Sequence, residues 1–244
     1  MWERVKILLF IMLKDAHVYY FKPPNVMWGI GFPIVLMLVV FFLRGQGDLP
    51  ALFPGIVAVA VIFGTSSMAA EVIILERLAG TFDRLLLAPV PLWALILAKA
   101  VGGALFGLAT TAAVIVITLG FVPTSIYSPL LFILVLTVSA LTFSLLGTLI
   151  SASVKAACDA PLMSNMLRFT MIFLCGVFVP VSQMPEVVRP LAYFLPLTYA
   201  VDGLRQASLG QPDVVNAYLA LLVLGGIAAL LFARTQQVLR QSLP

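Results

Sequence analysis

Charged residues are scarce in this sequence. Aspartate, glutamate, lysine and arginine make up 10% of the 244 residues, while 62% are hydrophobic and the mean hydropathy is +1.14. Soluble domains carry about 25% charged residues, so this scarcity excludes a water-soluble globular protein. Several apolar runs reach the roughly 20 residues that span a bilayer as a helix. We therefore expect an all-α polytopic membrane protein that forms one domain.

Residues that perform catalysis or bind metals are scarce as well. The single histidine, His17, has no grouped partners for a triad or a metal site, and no G-x-x-x-x-G-K-[ST] phosphate loop occurs. The two cysteines, Cys158 and Cys175, would lie roughly 25 Å apart on one helix, which is too far for a disulfide. We expect free thiols, no metal, no cofactor and no enzymatic activity in this chain. The net charge of +4 is scattered among the apolar runs, so nucleic acid is not an expected partner.

Six apolar segments have the length of a membrane span. They are predicted at residues 26–43, 51–75, 92–120, 129–151, 161–179 and 214–233. An amphipathic segment at residues 1–22 precedes them and is typical of a helix that lies in the membrane interface. Its predicted polar face carries Glu3, Lys6, Lys14, Asp15 and His17. Residues 180–212 contain five prolines and are predicted to form short external re-entrant helices, about 185–194 and 198–208.

The distribution of lysine and arginine predicts the orientation of the chain. With the N-terminus inside, 11 of the 14 basic residues fall on the inner face, and only Arg44, Arg189 and Arg205 fall outside. The positive-inside rule then predicts that both termini and the segment at residues 76–91 are cytoplasmic. Residues 180–212 are expected on the outer face.

A few ionisable residues lie inside the predicted spans. Glu71 and Lys99 are close enough to the cytoplasmic face to pair there, and Arg168 can pair with Asp159 or extend toward the membrane interface. We favour structural pairing over an ion pathway, because the spans mostly lack carboxylates at the bilayer midplane.

A charged stretch at residues 76–91 separates two apolar runs. Gly80 is expected to end the preceding span, and Thr81 to cap a new helix over about 81–88 that stops at Pro89. The predicted apolar face of this helix consists of Phe82, Leu85 and Leu86. A solvated loop that rests on the lipid head groups is the alternative interpretation.

Two motifs occur on opposite sides of the predicted bundle. The first reads Glu76-Arg77-x-x-Gly80-Thr81-x-x-Arg84-Leu85-Leu86-x-x-Pro89. The second combines Gly176-Val177-Phe178-Val179-Pro180, Met184-Pro185 and Leu195-Pro196-Leu197-Thr198-Tyr199-Ala200-x-x-x-x-Arg205. Together they resemble the signatures of the class-two permease family of ATP-binding-cassette exporters, and the resemblance covers nearly the whole chain.

The resemblance implies the membrane half of an exporter. Two permease copies, expected as a homodimer in the cell membrane of a prokaryote, would each bind one cytosolic ATP-binding subunit, which carries ATP and Mg²⁺. The loop at residues 76–91 would be the coupling helix, and the external helices would close the exit. The expected docking residues are Glu76, Arg77, Gly80, Thr81, Phe82, Asp83, Arg84, Leu85, Leu86 and Pro89. The expected external gate consists of Gly176, Pro180, Pro185, Pro196, Tyr199 and Arg205.

The resemblance also implies a class of substrate. Members of the family export hydrophobic drugs, lipids or lipid-linked glycans, so we expect a hydrophobic or amphipathic substrate that moves outward. The expected path between the second and fifth spans consists of Thr65, Ser66, Asn165, Phe169, Thr170 and Phe173. The same residues can instead be packing residues, as can the Gly103 and Gly107 pair in the third span. An ion-coupled transporter or channel that acts without an ATPase is the alternative function.

Overall fold

The computed structural model describes residues 10–20, 27–44, 49–87, 90–121, 124, 126–154, 156 and 158–241. This part of the chain is helical and contains no β-strand, which confirms the all-α prediction. A helix α1 (10–15) continues as the π-helical turn Ala16–Tyr20, and a second such turn, Met27–Gly31, leads into α2 (Phe32–Arg44). The following helices are α3 (Leu49–Leu78), α4 (Thr81–Leu87), α5 (Leu92–Phe121), α6 (Pro129–Ser153), α7 (Asp159–Leu174), α8 (Arg189–Phe194), α9 (Pro196–Leu209) and α10 (Ala217–Gln241).

Four helices in the described part of the chain, α3, α5, α6 and α10, are long and apolar enough to cross a membrane. They coincide with four of the predicted spans, although α10 continues to Gln241. Helix α7 has only 16 residues and covers about 24 Å at about 1.5 Å per residue, less than the roughly 30 Å of a bilayer core. Helix α2 is shorter still. The count of six spans therefore stays a prediction.

Helix α3 forms the centre of the bundle. Of its most apolar stretch, 89% is buried, compared with 22% for the corresponding stretch of α10 at the periphery. Helix α3 packs along both α5 and α6, because glycines on those helices allow close approach. Gly107 leaves no room for a Cβ against Thr65, and Gly147 leaves none against the backbone of Ser66. A Cβ on Gly103 would come within 3 Å of both Ser144 and Ala69, so the G-x-x-x-G pair packs helices as predicted.

The segment after α7 folds back onto the bundle through polar contacts. Gly176, with φ +80°, ends α7 earlier than the predicted residue 179, because the backbone turns there. A 3₁₀ turn, Val181–Gln183, and helix α8 follow. Helix α9 then packs against α3, α6 and α10. Helix α8 begins at Arg189, later than the predicted residue 185, because the chain from Pro185 to Val188 forms turns.

Candidate coupling and substrate site

Helix α4 follows α3 after a sharp turn. Gly80 adopts φ +64°, a left-handed conformation that side-chain-bearing residues rarely take, and this separates the two helices as predicted. The Thr81 hydroxyl donates a hydrogen bond to the Glu76 carbonyl at 3.2 Å. This bond closes the turn that precedes α4, and the capping role of Thr81 stays a prediction.

The apolar face of α4 is directed at its own bundle. Phe82 is only 2% exposed and packs within a core cluster formed by α3, α5, α6 and α10, with the Arg77 guanidinium 5.4 Å from its ring centroid. Arg77 also donates hydrogen bonds to backbone carbonyls at the end of α6, at 2.7 and 3.2 Å. Leu85 and Leu86 are partly buried against α1 and α5. These contacts attach α4 to the helices behind it.

The outward edge of α4 carries different residues. Thr81, Arg84 and Leu87 are exposed at intervals of three residues, and Leu78 is exposed just before the helix. Leu87 and Leu78 are 70% and 63% exposed, so the edge combines apolar surface with the charge of Arg84. The side chain of Asp83 and all of Pro89 lie outside the described residues.

Four charged side chains form a buried cluster directly behind α4. We call Lys14, Asp15, Glu76 and Lys99 the ionic quartet. The Lys99 Nζ donates to Asp15 Oδ2 and to Glu76 Oε1, both at 2.7 Å. Lys14 pairs with Glu76 and lies 3.1 Å from Asp15 Oδ1. The quartet is neutral in sum and joins α1, α3 and α5.

Burial makes this pairing necessary. The side chains of Asp15, Glu76 and Lys99 are 2%, 1% and 2% exposed, and only Lys14, at 40%, reaches solvent. A buried charge is tolerated when an opposite charge and hydrogen bonds compensate for its lost hydration. Burial lowers the pKa of the Lys14 ammonium group. The hydrogen bond to Glu76 and the negative charges of Asp15 and Glu76 raise it by more, so the pKa of Lys14 lies above its ordinary value.

The quartet corrects two predictions. Asp15 does not lie on an exposed polar face, because Lys99 of a distant helix neutralises it in the interior. Lys99 pairs with Asp15 and Glu76 and forms no ion pair with Glu71 in the described structure. Glu76 itself, one of the predicted docking residues, is a buried member of the quartet.

A second buried charge lies between α3 and α7. Arg168 is 5% exposed, and its guanidinium donates to the Ser164 carbonyl at 3.1 Å, to the Ser164 hydroxyl at 2.7 Å and to the Ser67 hydroxyl. The guanidinium carbon lies 5.1 Å from the centroid of the Phe63 ring. Among the described residues, no carboxylate forms an ion pair with Arg168, so the predicted pairing with Asp159 was wrong. Asp159 is exposed and lines a separate groove between α6 and α7.

Arg168 lines a cavity of about 300 Å³ between α3 and α7. Its polar lining comes from Ser67, Glu71, Asn165 and Arg168, and its apolar lining includes Ile74 and Leu75. Of the predicted path residues, Asn165 therefore lines a cavity. Phe169 and Phe173 follow it at intervals of four residues and are 37% and 67% exposed on the same side of α7.

The other predicted path residues lie elsewhere. Thr65 and Ser66 are fully buried in the contacts of α3 with α5 and α6, and their hydroxyls donate to carbonyls of Val61 and Ile62 in the preceding turn. They pack helices within the protomer, which is the packing role that the sequence left open. Thr170 lies in the groove beside Asp159 and donates to the Met166 carbonyl at 2.8 Å.

Some of the predicted gate residues hold the segment after α7 in place. The Arg205 guanidinium donates to the Gly176 carbonyl at 3.1 Å, and the Tyr199 hydroxyl donates to the Tyr193 carbonyl at 2.8 Å. Pro196 is buried at the start of α9, Pro180 precedes the 3₁₀ turn, and Pro185 is exposed.

Sequence reasoning missed two residues of this segment. The Asp202 carboxylate accepts hydrogen bonds from the three consecutive backbone N–H groups of residues 213–215, at 2.8 to 3.0 Å. Asp213 contacts Ser182 and lies 3.7 Å from Arg205. Asp202 could have been found in the sequence, because a single carboxylate in a mostly apolar helix needs hydrogen-bond donors when it is buried.

A bundle of long apolar helices with charges buried at helix junctions defines a polytopic membrane protein. Residues 7–209 match the family described as ABC-2 type transporter, so the chain belongs to that family. This confirms the resemblance in the two motifs. Membership identifies a transporter permease of the cell membrane, a component that is generally not an enzyme, and it implies a partner ATP-binding subunit.

Curated relatives agree with this assignment. The inner membrane transport permease YadH of Escherichia coli K12 is 28% identical over 194 residues, which cover 75% of this chain and 76% of YadH. Nodulation protein J of Rhizobium leguminosarum bv. viciae is 32% identical over 90 residues, or 37% of this chain and 34% of that protein. Nodulation protein J of Sinorhizobium fredii is 40% identical over 42 residues, or 17% of this chain and 16% of that protein.

Proposed function

We propose that this chain is the permease half of an ATP-driven exporter. It moves a hydrophobic or amphipathic substrate outward across the cell membrane, using energy from a separate cytosolic ATP-binding subunit. Two identical permease copies, each with one ATP-binding subunit, form the working transporter. The proposal depends on the two faces of α4. Its inner face packs against the bundle, while its outer edge is exposed.

The predicted docking residues divide into two groups in this proposal. Thr81 and Arg84 lie on the exposed edge, together with Leu87, and contact the ATP-binding subunit. Phe82, Leu85 and Leu86 attach α4 to its own helices, and Arg77 connects the end of α3 to α6. An exposed apolar side chain beside a positive charge is suited to a specific protein contact.

The ionic quartet transmits movement of α4 into the bundle. Glu76 lies in the last turn of α3, and its carbonyl accepts a hydrogen bond from the Thr81 hydroxyl. Its carboxylate forms ion pairs with Lys99 of α5 and Lys14 of α1. A displacement of α4 therefore acts on three helices through short polar contacts. In a buried, low-dielectric setting such contacts resist separation.

The substrate path has a cytoplasmic end and an outer end. Both termini and α4 are cytoplasmic, as the basic residues predict. The substrate enters at the α3–α7 cavity, and the segment containing α8 and α9 closes the outer exit. The contacts of Arg205 and Asp202 would hold this gate in the conformation described here.

Substitutions on the exposed edge of α4 test the proposal. We expect Arg84→Glu combined with Leu87→Asp to weaken binding of the ATP-binding subunit by about tenfold or more, because a charge and an apolar anchor are both lost. The melting temperature of the permease should stay unchanged, since both side chains are exposed. The partner for the assay is the phosphate-loop protein that copurifies with this permease from its native membrane, and affinity is measured with both proteins in detergent.

Two matched variants make the result specific. Arg234→Glu reverses an exposed charge on α10 and should leave subunit binding intact. Leu85→Asp places a charge on the partly buried inner face and should lower permease stability itself. Wild-type affinity and wild-type transport in the Arg84→Glu, Leu87→Asp double variant would contradict the assignment of α4 as the coupling helix.

A further inference from the structure

We propose that Gly225 and Gly226 form a hinge in α10, at which the two halves of this helix bend relative to each other. The half before the glycine pair packs against α9, and the half after it packs with α4. The hinge rests on the proposed function and deepens it. It lets α4 move with the ATP-binding subunit while the segment containing α8 and α9 still closes the outer exit.

Packing and backbone conformation do not require glycine at these two positions. Both residues lie in the middle of α10, and neither has a positive φ. A Cβ added to either one would meet no atom of the described residues within 4 Å, unlike a Cβ on Gly107 or Gly147. Glycine inside a helix is less favourable than alanine, so the pair weakens α10 without improving its contacts. Such a point is where a helix bends.

The glycine pair lies at the border between two core clusters. Leu224, directly before the pair, is buried in the cluster that contains Leu204 of α9. Ile227, directly after the pair, packs with the cluster that contains Phe82 of α4, and Leu231 is buried in that same cluster. Each half of α10 is therefore attached to a different part of the protein.

A hydrogen bond from α6 supports the backbone at this border. The Thr142 hydroxyl donates to the Leu224 carbonyl at 3.3 Å, and it shares this donor with the Val138 carbonyl at 2.8 Å. In an α-helix the Leu224 carbonyl also accepts from the N–H four residues later, that of Ala228. Bending at the glycine pair lengthens this intrahelical bond. The Thr142 hydroxyl lowers the cost, because the carbonyl keeps a donor inside the membrane.

The outer half of α10 is held at its beginning by α9. Gln206 accepts a hydrogen bond from the Ala217 N–H, and Asp202, one turn earlier on α9, binds the three N–H groups of residues 213–215. A bend at Gly225 leaves these contacts intact. Arg240 lies 15 residues beyond Gly225, so a bend of about 20° moves it by about 8 Å.

Distances within the permease alone test the hinge. Spin labels are attached to the native Cys158 and to Arg240→Cys, two exposed positions, while Cys175 is buried. The labelled protein is diluted with unlabelled Cys158→Ser permease in nanodiscs, so that distances between copies do not contribute. We expect a broad distance distribution in the wild type. The Gly225→Ala, Gly226→Ala double variant should lose the distances of the bent helix, which reach about 8 Å from the straight one.

Matched variants separate bending from packing. The double variant should melt at or above the wild-type temperature, because alanine fits there and favours the helix. Gly120→Ala is the control, since Gly120 is an exposed helical glycine of α5 with equal room for a Cβ, and it should change nothing. Moving the pair by three residues, with Ala228→Gly and Ala229→Gly added to the double variant, should restore the broad distribution. A close contact of another copy with the original glycines would not be restored.

Transport by the same variants tests the role of the hinge. In proteoliposomes with the ATP-binding subunit, we expect the double variant to be about tenfold slower than the wild type, and the variant with the moved pair to recover most of the rate.

Three results would overturn the hinge. They are equal distance distributions in the wild type and the double variant, wild-type transport by the double variant, and a loss that the moved pair does not restore. Because the distances are measured without the ATP-binding subunit, a failed hinge leaves ATP-driven transport standing. Conversely, a wild type that transports without ATP contradicts only the proposed energy source.

Discussion

The ionic quartet and Arg168 show two ways in which this chain buries charge along α3. In the quartet, Lys99 is held by two carboxylates, and the four charges sum to zero. Arg168 is equally buried, but in the described structure its protein partners are hydroxyls, a carbonyl and an aromatic ring. The first arrangement is complete within the protein and joins helices. In the second, neutral groups of the described structure orient the guanidinium, and the Glu71 carboxylate lines the adjoining cavity.

The difference leads to opposite expectations for substitution. Removing Lys99 takes away the buried cation that Asp15 and Glu76 share, and Glu76 already has one carboxylate oxygen without a hydrogen-bond partner among the described residues. Removing Arg168 strands no buried carboxylate of the described structure. The quartet should therefore contribute more to stability than Arg168 does.

The largest expected effect is that of Lys99→Met. We expect the free energy of unfolding to fall by about 3–5 kcal/mol, because Asp15 and Glu76 stay buried after losing their shared cation. Reversible unfolding in detergent, or the melting temperature in nanodiscs, measures this loss. Lys14→Met is the matched control and should cost only about 1 kcal/mol, because Lys14 is 40% exposed and solvent screens its ion pairs. Equal losses in the two variants would break the distinction between the buried and the exposed lysine.

The smaller expected effect on stability is that of Arg168→Met. Burying a charge without an ion-pair partner is itself costly, so an apolar side chain of similar length should keep the free energy of unfolding within about 1 kcal/mol of the wild type. Reversible unfolding in detergent measures this variant as well. The losses of unfolding free energy in Lys99→Met and Arg168→Met can then be compared directly. A loss as large as that of Lys99→Met would show that Arg168 is a structural group, and that its charge is already compensated within the protein.

Long helices could be predicted from the sequence because their signal is local. Apolar runs of about 20 residues predict helices directly, and α3, α5, α6 and α10 follow them. The turn at Gly80 could be predicted as well, because glycine readily adopts the left-handed conformation that separates α3 from α4.

Features that depend on contacts between distant segments could not be predicted. The partners that join different helices of the quartet are 23, 62 and 84 residues apart, so no periodicity within one segment reveals them. Periodicity correctly predicted an apolar face on α4, but it could not show that Phe82 faces its own bundle. Thr65 and Ser66 likewise depend on glycines of neighbouring helices, which bring those helices against them.

Energised transport in proteoliposomes tests the central claim most directly. The permease is reconstituted with and without its ATP-binding subunit, and outward movement of fluorescent amphipathic probes is followed under ATP, under a non-hydrolysable ATP analogue, and under proton or sodium gradients. Our account predicts movement only with the ATP-binding subunit and hydrolysable ATP, and loss of movement in the Arg84→Glu, Leu87→Asp double variant. Movement by the permease alone, driven by an ion gradient, would contradict it.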